Sequence, residues 1–162
     1  ARAARAAGAR RILIVDPNAH CGGGTHSLIG DDDAIWQVDV AVDDFDIYAP
    51  APRNTLDLVG ASDEYLPTIE ARLSELPTRA PTLDLCLYNA GMDPHQGCPV
   101  GGLRGITREI IAARERMVFD WCRGRSLPVA LVLAGGYTGP DLDQAGLVDL
   151  PRLTIMAALG TP

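Results

Sequence analysis

The chain has 162 residues, 47% of them hydrophobic, and a formal net charge of −7. That length and apolar content suit one domain with a real core and exclude a disordered acidic segment. The charge argues against nucleic-acid binding by phosphate neutralisation, and no apolar run approaches the roughly 20 residues that span a bilayer; a cationic substrate would be drawn to such a field.

In chain order, the Ala- and Arg-rich start (1–11) lacks an apolar h-region and predicts the end of a helix that begins upstream, not a secretory signal. Residues 12–15 are a short β-branched apolar run, as in a strand buried on both faces. Loop follows to residue 33, with a short helix near 25–29. A second strand is expected over 35–42 and a Pro-rich surface loop around 49–52. Spacing of Tyr65, Leu66, Ile69, Leu73 and Leu76 predicts a helix over 62–76 that Pro77 ends. A third strand is expected over 83–88, then a Gly-rich loop over 89–105. The strongest helix spans 107–125, with Ile110, Ile111, Met117, Val118 and Trp121 on its buried face. A fourth strand covers 128–133, and a helix is expected over 142–159, in which Pro151 should start a new turn or kink it. This alternation predicts an α/β domain with a mostly parallel sheet flanked by helices on both faces.

Cys21, Cys86, Cys98 and Cys122 form no C-x-x-C pair and read as buried thiols in a reducing cytosol. The chemistry should sit at the carboxyl ends of the strands. There the first strand runs into Asp16-Pro17-Asn18-Ala19-His20, the third into Asn89-Ala90-Gly91-Met92-Asp93 and the fourth into Ala134-Gly135-Gly136-Tyr137. If these strands are neighbours, a carboxamide, an imidazole, a carboxylate and a phenol share one crevice. His and Asp with a third oxygen donor suit zinc with an open coordination position, which activates water. Each residue also has a plain reading: Asp16 as a turn or cap, His20 as a loop residue, Asp93-Pro94 as a turn, Tyr137 as packing. His26 and His95 read as loop residues.

Three segments carry a resemblance. Asp16-Pro17-Asn18-Ala19-His20-Cys21-Gly22-Gly23-Gly24-Thr25 resembles the Asp-x-Asp-x-His-His-Gly-x-Gly-Thr segment of histone deacetylases and acetylpolyamine amidohydrolases. The run from Asn89 to Leu103 is similar to the bacterial family's Ala-Gly-x-Asp-x-His-x-Gly-x-Pro-x-Gly-Gly-Leu. Leu133-Ala134-Gly135-Gly136-Tyr137 resembles its Leu-x-Gly-Gly-Tyr. The motifs come in family order and cover residues 11–158, so the resemblance implies a single domain over 1–162 that is the C-terminal part of a longer arginase–deacetylase fold.

The resemblance further implies zinc (Zn2+) held by Asn18, His20 and Asp93, with Tyr137 bonding the substrate carbonyl and then the oxyanion. It implies a monovalent cation, usually potassium (K+), at Asp16 with Asp39 nearby. The substrate would be a small acylated amine or acetyl-lysine, with no nucleic-acid or membrane partner, and the setting cytoplasmic; a homo-oligomer stays open. Several positions depart from the family pattern. Asn18 stands where the family has an anionic Asp, and Cys21 replaces a second His. Cys98 and Ala134 stand where relatives are often acidic. The family's tandem histidines lie upstream of its zinc loop, and no His precedes His20 here. The expectation is a zinc-dependent amidohydrolase domain that is inactive as this chain alone. The alternatives are a degenerate paralogue serving as a binding module and, less well matched, a manganese ureohydrolase.

Overall fold

The short apolar runs pair as parallel strands, and those at residues 12–16 and 35–41 are buried along their whole length. The computed structural model describes residues 1–80 and 82–161. In chain order it contains α1 (Arg2–Ala6), β1 (Ile12–Asp16), α2 (Gly23–Ile29), β2 (Ile35–Ala41), β3 (Asn54–Leu58), α3 (Ser62–Arg79), β4 (Leu85–Gly91), α4 (Arg108–Arg123), β5 (Val129–Ala134) and α5 (Gln144–Leu159). The strands form one parallel sheet in the order β3-β2-β1-β4-β5.

The strand period of two divides β1 and β2 cleanly. Leu13, Val15, Trp36, Val38 and Val40 join the main core with Tyr65, Ile69 and Leu73 of α3, Ile111 and Val118 of α4, and Leu150 and Leu153 of α5. Ile12, Ile14 and Ile35 face the other way, against Ile29 of α2 and Ala4 of α1. At about 25 cal/mol per Å² of apolar surface, the larger face supplies most of the hydrophobic stabilisation. β5 forms an edge with Val132 and Leu133 exposed. An apolar groove of about 700 Å3 runs beside it, lined by Ala1, Leu28, Ile29, Leu87, Ala130 and Val132. Among the described residues, no helix is long and apolar enough to cross a membrane.

Residues 54–58, unassigned from the sequence, form a strand; β3 pairs with β2 at the sheet edge. Two expectations are corrected. Pro77 does not end α3, which runs on to Arg79. Buried Leu76 anchors that last turn and its carbonyl accepts the Ala80 N–H at 2.7 Å. Pro151 lies inside an unbroken α5, where buried Leu150, Leu153, Thr154 and Ala157 hold the helix on both sides of it.

Candidate metal centre

β1 sits where the sheet order reverses: β2 flanks one side and β4, reached only after α3, flanks the other. Such a switch point opens a crevice at the carboxyl ends of the strands. The loop leaving β1 enters that crevice and is fixed from below. The Pro17 carbonyl accepts hydrogen bonds from the Tyr65 hydroxyl at 2.6 Å and from Arg114 Nη1 at 3.0 Å. Arg114 is fully buried and ion-paired to Glu115, whose Oε1 also accepts from the Tyr88 hydroxyl at 3.0 Å. A guanidinium at this depth is tolerable only because carboxylate, hydroxyl and carbonyl all receive it.

Three residues expected at the site come together. His20 Nε2 lies 3.9 Å from Asp93 Oδ2. Asp93 is 1% exposed and its Oδ1 has no hydrogen-bond partner among the described residues. Burial pushes the Asp93 carboxyl above its usual range, while backbone amides and His20 pull the other way. A Cβ at Gly91 would lie 2.1 Å from Asn18 Oδ1 and 2.9 Å from Asp93 Oδ1, so both oxygens crowd one point. A Cβ at Gly135 would fall 2.5 Å from Asp93 Oδ1, and Gly135 has φ +63°. Glycine is required there on both counts.

The orphaned buried Asp93 oxygen and the glycine cradle fit a single divalent cation. Ligands about 2.0–2.2 Å from a tetrahedral zinc stand roughly 3.4 Å apart, so the 3.9 Å His20–Asp93 separation needs only a small closure. Among the described residues no three His, Cys, Asp or Glu side chains cluster at ligand spacing. The third donor is the neutral Asn18 amide, whose oxygen already accepts the Ala19 N–H at 2.9 Å.

A second polar cluster lies beneath the first turn of α2. Asp16 and Asp39 are register partners on β1 and β2. A Cβ at Gly22 would sit 3.1 Å from Asp16 Oδ2 and 3.0 Å from Asp39 Oδ2. Asn89 Nδ2 donates to Asp16 Oδ1 at 2.7 Å, and the Gly22 N–H donates to Asp39 Oδ2 at 2.7 Å. Asp39 Oδ1 and Gln37 Oε1 have no partner among the described residues. Burial raises the Asp16 carboxyl to about 6, against the Asn89 hydrogen bond. Burial, with the Asp16 charge added, raises Asp39 to about 7. Paired buried carboxylates with orphaned oxygens fit a bound cation.

Tyr137 stands apart from these clusters. It is 45% exposed at the rim, and its backbone N–H donates to Cys98 Sγ at 3.5 Å. The Gly135 turn touches Asp93, but no hydrogen bond ties the phenol to the site among the described residues. His26 lies in α2 rather than in a loop and stacks on Tyr48 at 4.3 Å; His95 accepts the Gly97 N–H at 3.2 Å. All four cysteines are free and buried. Burial, then surrounding aspartates, raise the Cys21 thiol to about 11, away from the thiolate that binds metal.

The sequence reading missed Arg114, Glu115 and Asp43. The first two fall on the buried face of α4. Asp43 lies just past β2 and contacts His20 Nδ1 at 2.8–2.9 Å. The strand-end rule that singled out Asp16 and Asp93 could have found it.

Residues 1–147 match the family described as the histone deacetylase domain. Histone deacetylase 2 of Arabidopsis thaliana is 31% identical over 133 residues, which are 78% of this chain and 34% of that protein. An uncharacterized Picosynechococcus protein is 35% identical over 133 residues, covering 80% of this chain and 43% of it. The chain therefore spans well under half the length of these relatives. In solved structures the fold resembles the acetylpolyamine aminohydrolase of Burkholderia pseudomallei (TM-score 0.79, 17% identity, 96% of this chain and 47% of that one). It also resembles a histone deacetylase homologue of Aquifex aeolicus (TM-score 0.72, 15% identity, 99% and 44%).

Proposed function

The chain belongs to the histone deacetylase domain family, and from that premise we propose that it is the C-terminal part of a zinc-dependent amidohydrolase domain that cleaves a small acyl amide. The substrate would be an acetylated amine or acetyl-lysine side chain. The observation that carries this reading is the approach of His20, Asp93 and Asn18 to one another beside Gly91. These three would hold the zinc, and the ion would supply Lewis-acid polarisation of the acyl carbonyl and of water.

This chain's own residues then divide the work. Arg114 and Tyr65 hold Pro17 and so fix where Asn18 and His20 begin. Asp93, buried and short of a partner, supplies the single anionic donor. Tyr137 at the rim would turn its phenol toward the carbonyl oxygen and donate to it as negative charge develops. Asp16 and Asp39 would hold a monovalent cation, potassium by family analogy, whose charge offsets their mutual repulsion. The four free thiols suit a reducing cytoplasm.

Proton transfer is the missing function. Of the three histidines in the chain, His20 faces Asp93, His26 stacks on Tyr48 and His95 accepts a backbone amide. Neither His26 nor His95 forms a hydrogen bond or ion pair with His20 or Asp93 among the described residues, so no second imidazole stands ready there to move a proton between water and leaving amine. Asn18 and this shortage favour a second reading, a non-catalytic relative that acts as a binding module. Chelator competition separates the two. The zinc reading expects measurable affinity that His20→Ala and Asp93→Ala each abolish. Affinity that survives both substitutions refutes it.

A further inference from the structure

We propose that Cys98 is a positioning residue that ties the Tyr137 turn to the strand end carrying Asp93. The inference rests on the reading in which Tyr137 donates to the acyl carbonyl. The tie runs through one sulfur atom. The Tyr137 N–H donates to Cys98 Sγ at 3.5 Å, and the Cys98 thiol donates to the Met92 carbonyl at 3.4 Å. A thiol accepts through sulfur while it donates its hydrogen, so both contacts form together. Cys98 is 6% exposed, and burial holds its thiol above the ordinary pKa range, so the hydrogen stays on sulfur.

The contact to Cys98 is the only hydrogen bond that Tyr137 makes among the described residues. Gly135 and Gly136, just before it, have φ of +63° and +92°. Two successive left-handed glycines leave the backbone many alternatives, so the turn needs an external tie. Met92, on the other side of the sulfur, is fully buried and immediately precedes Asp93. Its N–H donates to the carbonyl of Ala134, the last residue of β5, at 3.0 Å. The Met92 backbone thus holds the start of the turn directly and Tyr137 through the thiol. Cys98 is itself fixed. Its N–H donates to the His95 carbonyl at 2.8 Å, and the Gln96 N–H donates to the Ile106 carbonyl at 2.8 Å. Next to the sulfur, Pro99 Cδ would lie 3.1 Å from a Cβ at Gly139, so the loop also packs on the segment that leaves Tyr137.

Amide hydrogen exchange of the 162-residue chain, followed by NMR, tests the tie without metal or substrate. Cys98→Ala should speed exchange of the Tyr137 amide about 2–10-fold, the range of one modest hydrogen bond, and leave the Met92 amide unchanged. Cys98→Ser, which keeps a donor and an acceptor, should recover part of the protection. Should Cys98→Ala fail to fold, Cys98→Val, which fills the same buried site without a polar hydrogen, carries the measurement. Unchanged Tyr137 exchange, or equal acceleration at Tyr137 and Met92, would overturn the proposal. In a longer protein that supplies upstream histidines, Cys98→Ala should lower kcat, by up to about 100-fold, with KM little changed. An unchanged kcat there, beside faster Tyr137 exchange, would support the tie and defeat the reading of Tyr137 instead.

Discussion

Replacing Asp39 with Asn should stabilise the protein at pH 8 and change little at pH 4. Asp39 is fully buried beside Asp16, and its carboxyl is raised from 3.8 to about 7, chiefly by burial. A raised carboxyl contributes stability below its unfolded value, and that contribution is lost as pH rises through the folded value. The window is therefore pH 4 to 7. At 1.36 kcal/mol per pH unit, the gap corresponds to about 4 kcal/mol against the folded state once both states are ionised. The amide of Asp39→Asn keeps an oxygen for the Gly22 N–H, which donates to Asp39 at 2.7 Å, and removes the charge. Urea unfolding followed by circular dichroism, in buffers free of sodium and potassium, should show a gain of about 2–4 kcal/mol at pH 8. Added potassium chloride, but not choline chloride, should then stabilise the wild type and leave the variant unmoved. A variant less stable than wild type at pH 8, or a difference indifferent to pH, would refute the reasoning.

Further outcomes follow from the same geometry. Asn18→Asp should tighten zinc binding on the order of tenfold in a chelator competition, since it adds a second negative charge to the donor set. Arg114→Met should cost about 3–5 kcal/mol in a denaturant titration, because it strands the buried Glu115 carboxylate; adding Glu115→Leu should recover much of the loss. Residues 1–162 alone should show no useful deacetylation of acetylated amines with zinc added, whereas a longer protein supplying upstream histidines should be active. In that longer protein Tyr137→Phe should lower kcat about 10²–10³-fold with KM little changed.

Much of this architecture is legible in the residues. β1 announces itself because a strand buried on both faces needs an unbroken apolar, β-branched run, and β2, β4 and β5 are apolar enough to read as strands although β5 lies at an exposed edge. β3 escapes notice because an edge strand needs no such run; Asp57 lies in it and pairs with Arg72 of α3. The two prolines mislead because local propensity is weaker than the burial of Leu76 and Leu150 beside them. Arg114 and Glu115 are invisible for a related reason. Charged residues on a helix read as its wet face, and only tertiary structure brings Pro17, Tyr65 and Tyr88 to satisfy them. At the site, the strand-end motifs bring His20, Asp93 and Asn18 together. The contact of Asp43 with His20 depends on how two loops are stitched, which no motif spacing encodes.

The central claim is that His20 and Asp93 bind one zinc ion at the switch point of the sheet. X-ray absorption at the zinc edge, on the chain loaded with one equivalent, tests it most directly. The account predicts only nitrogen and oxygen neighbours at about 2.0–2.2 Å, with one imidazole signature that disappears in His20→Ala. Sulfur scattering at about 2.3 Å would contradict it, because zinc would then sit on Cys21 or Cys98 rather than between the strand ends.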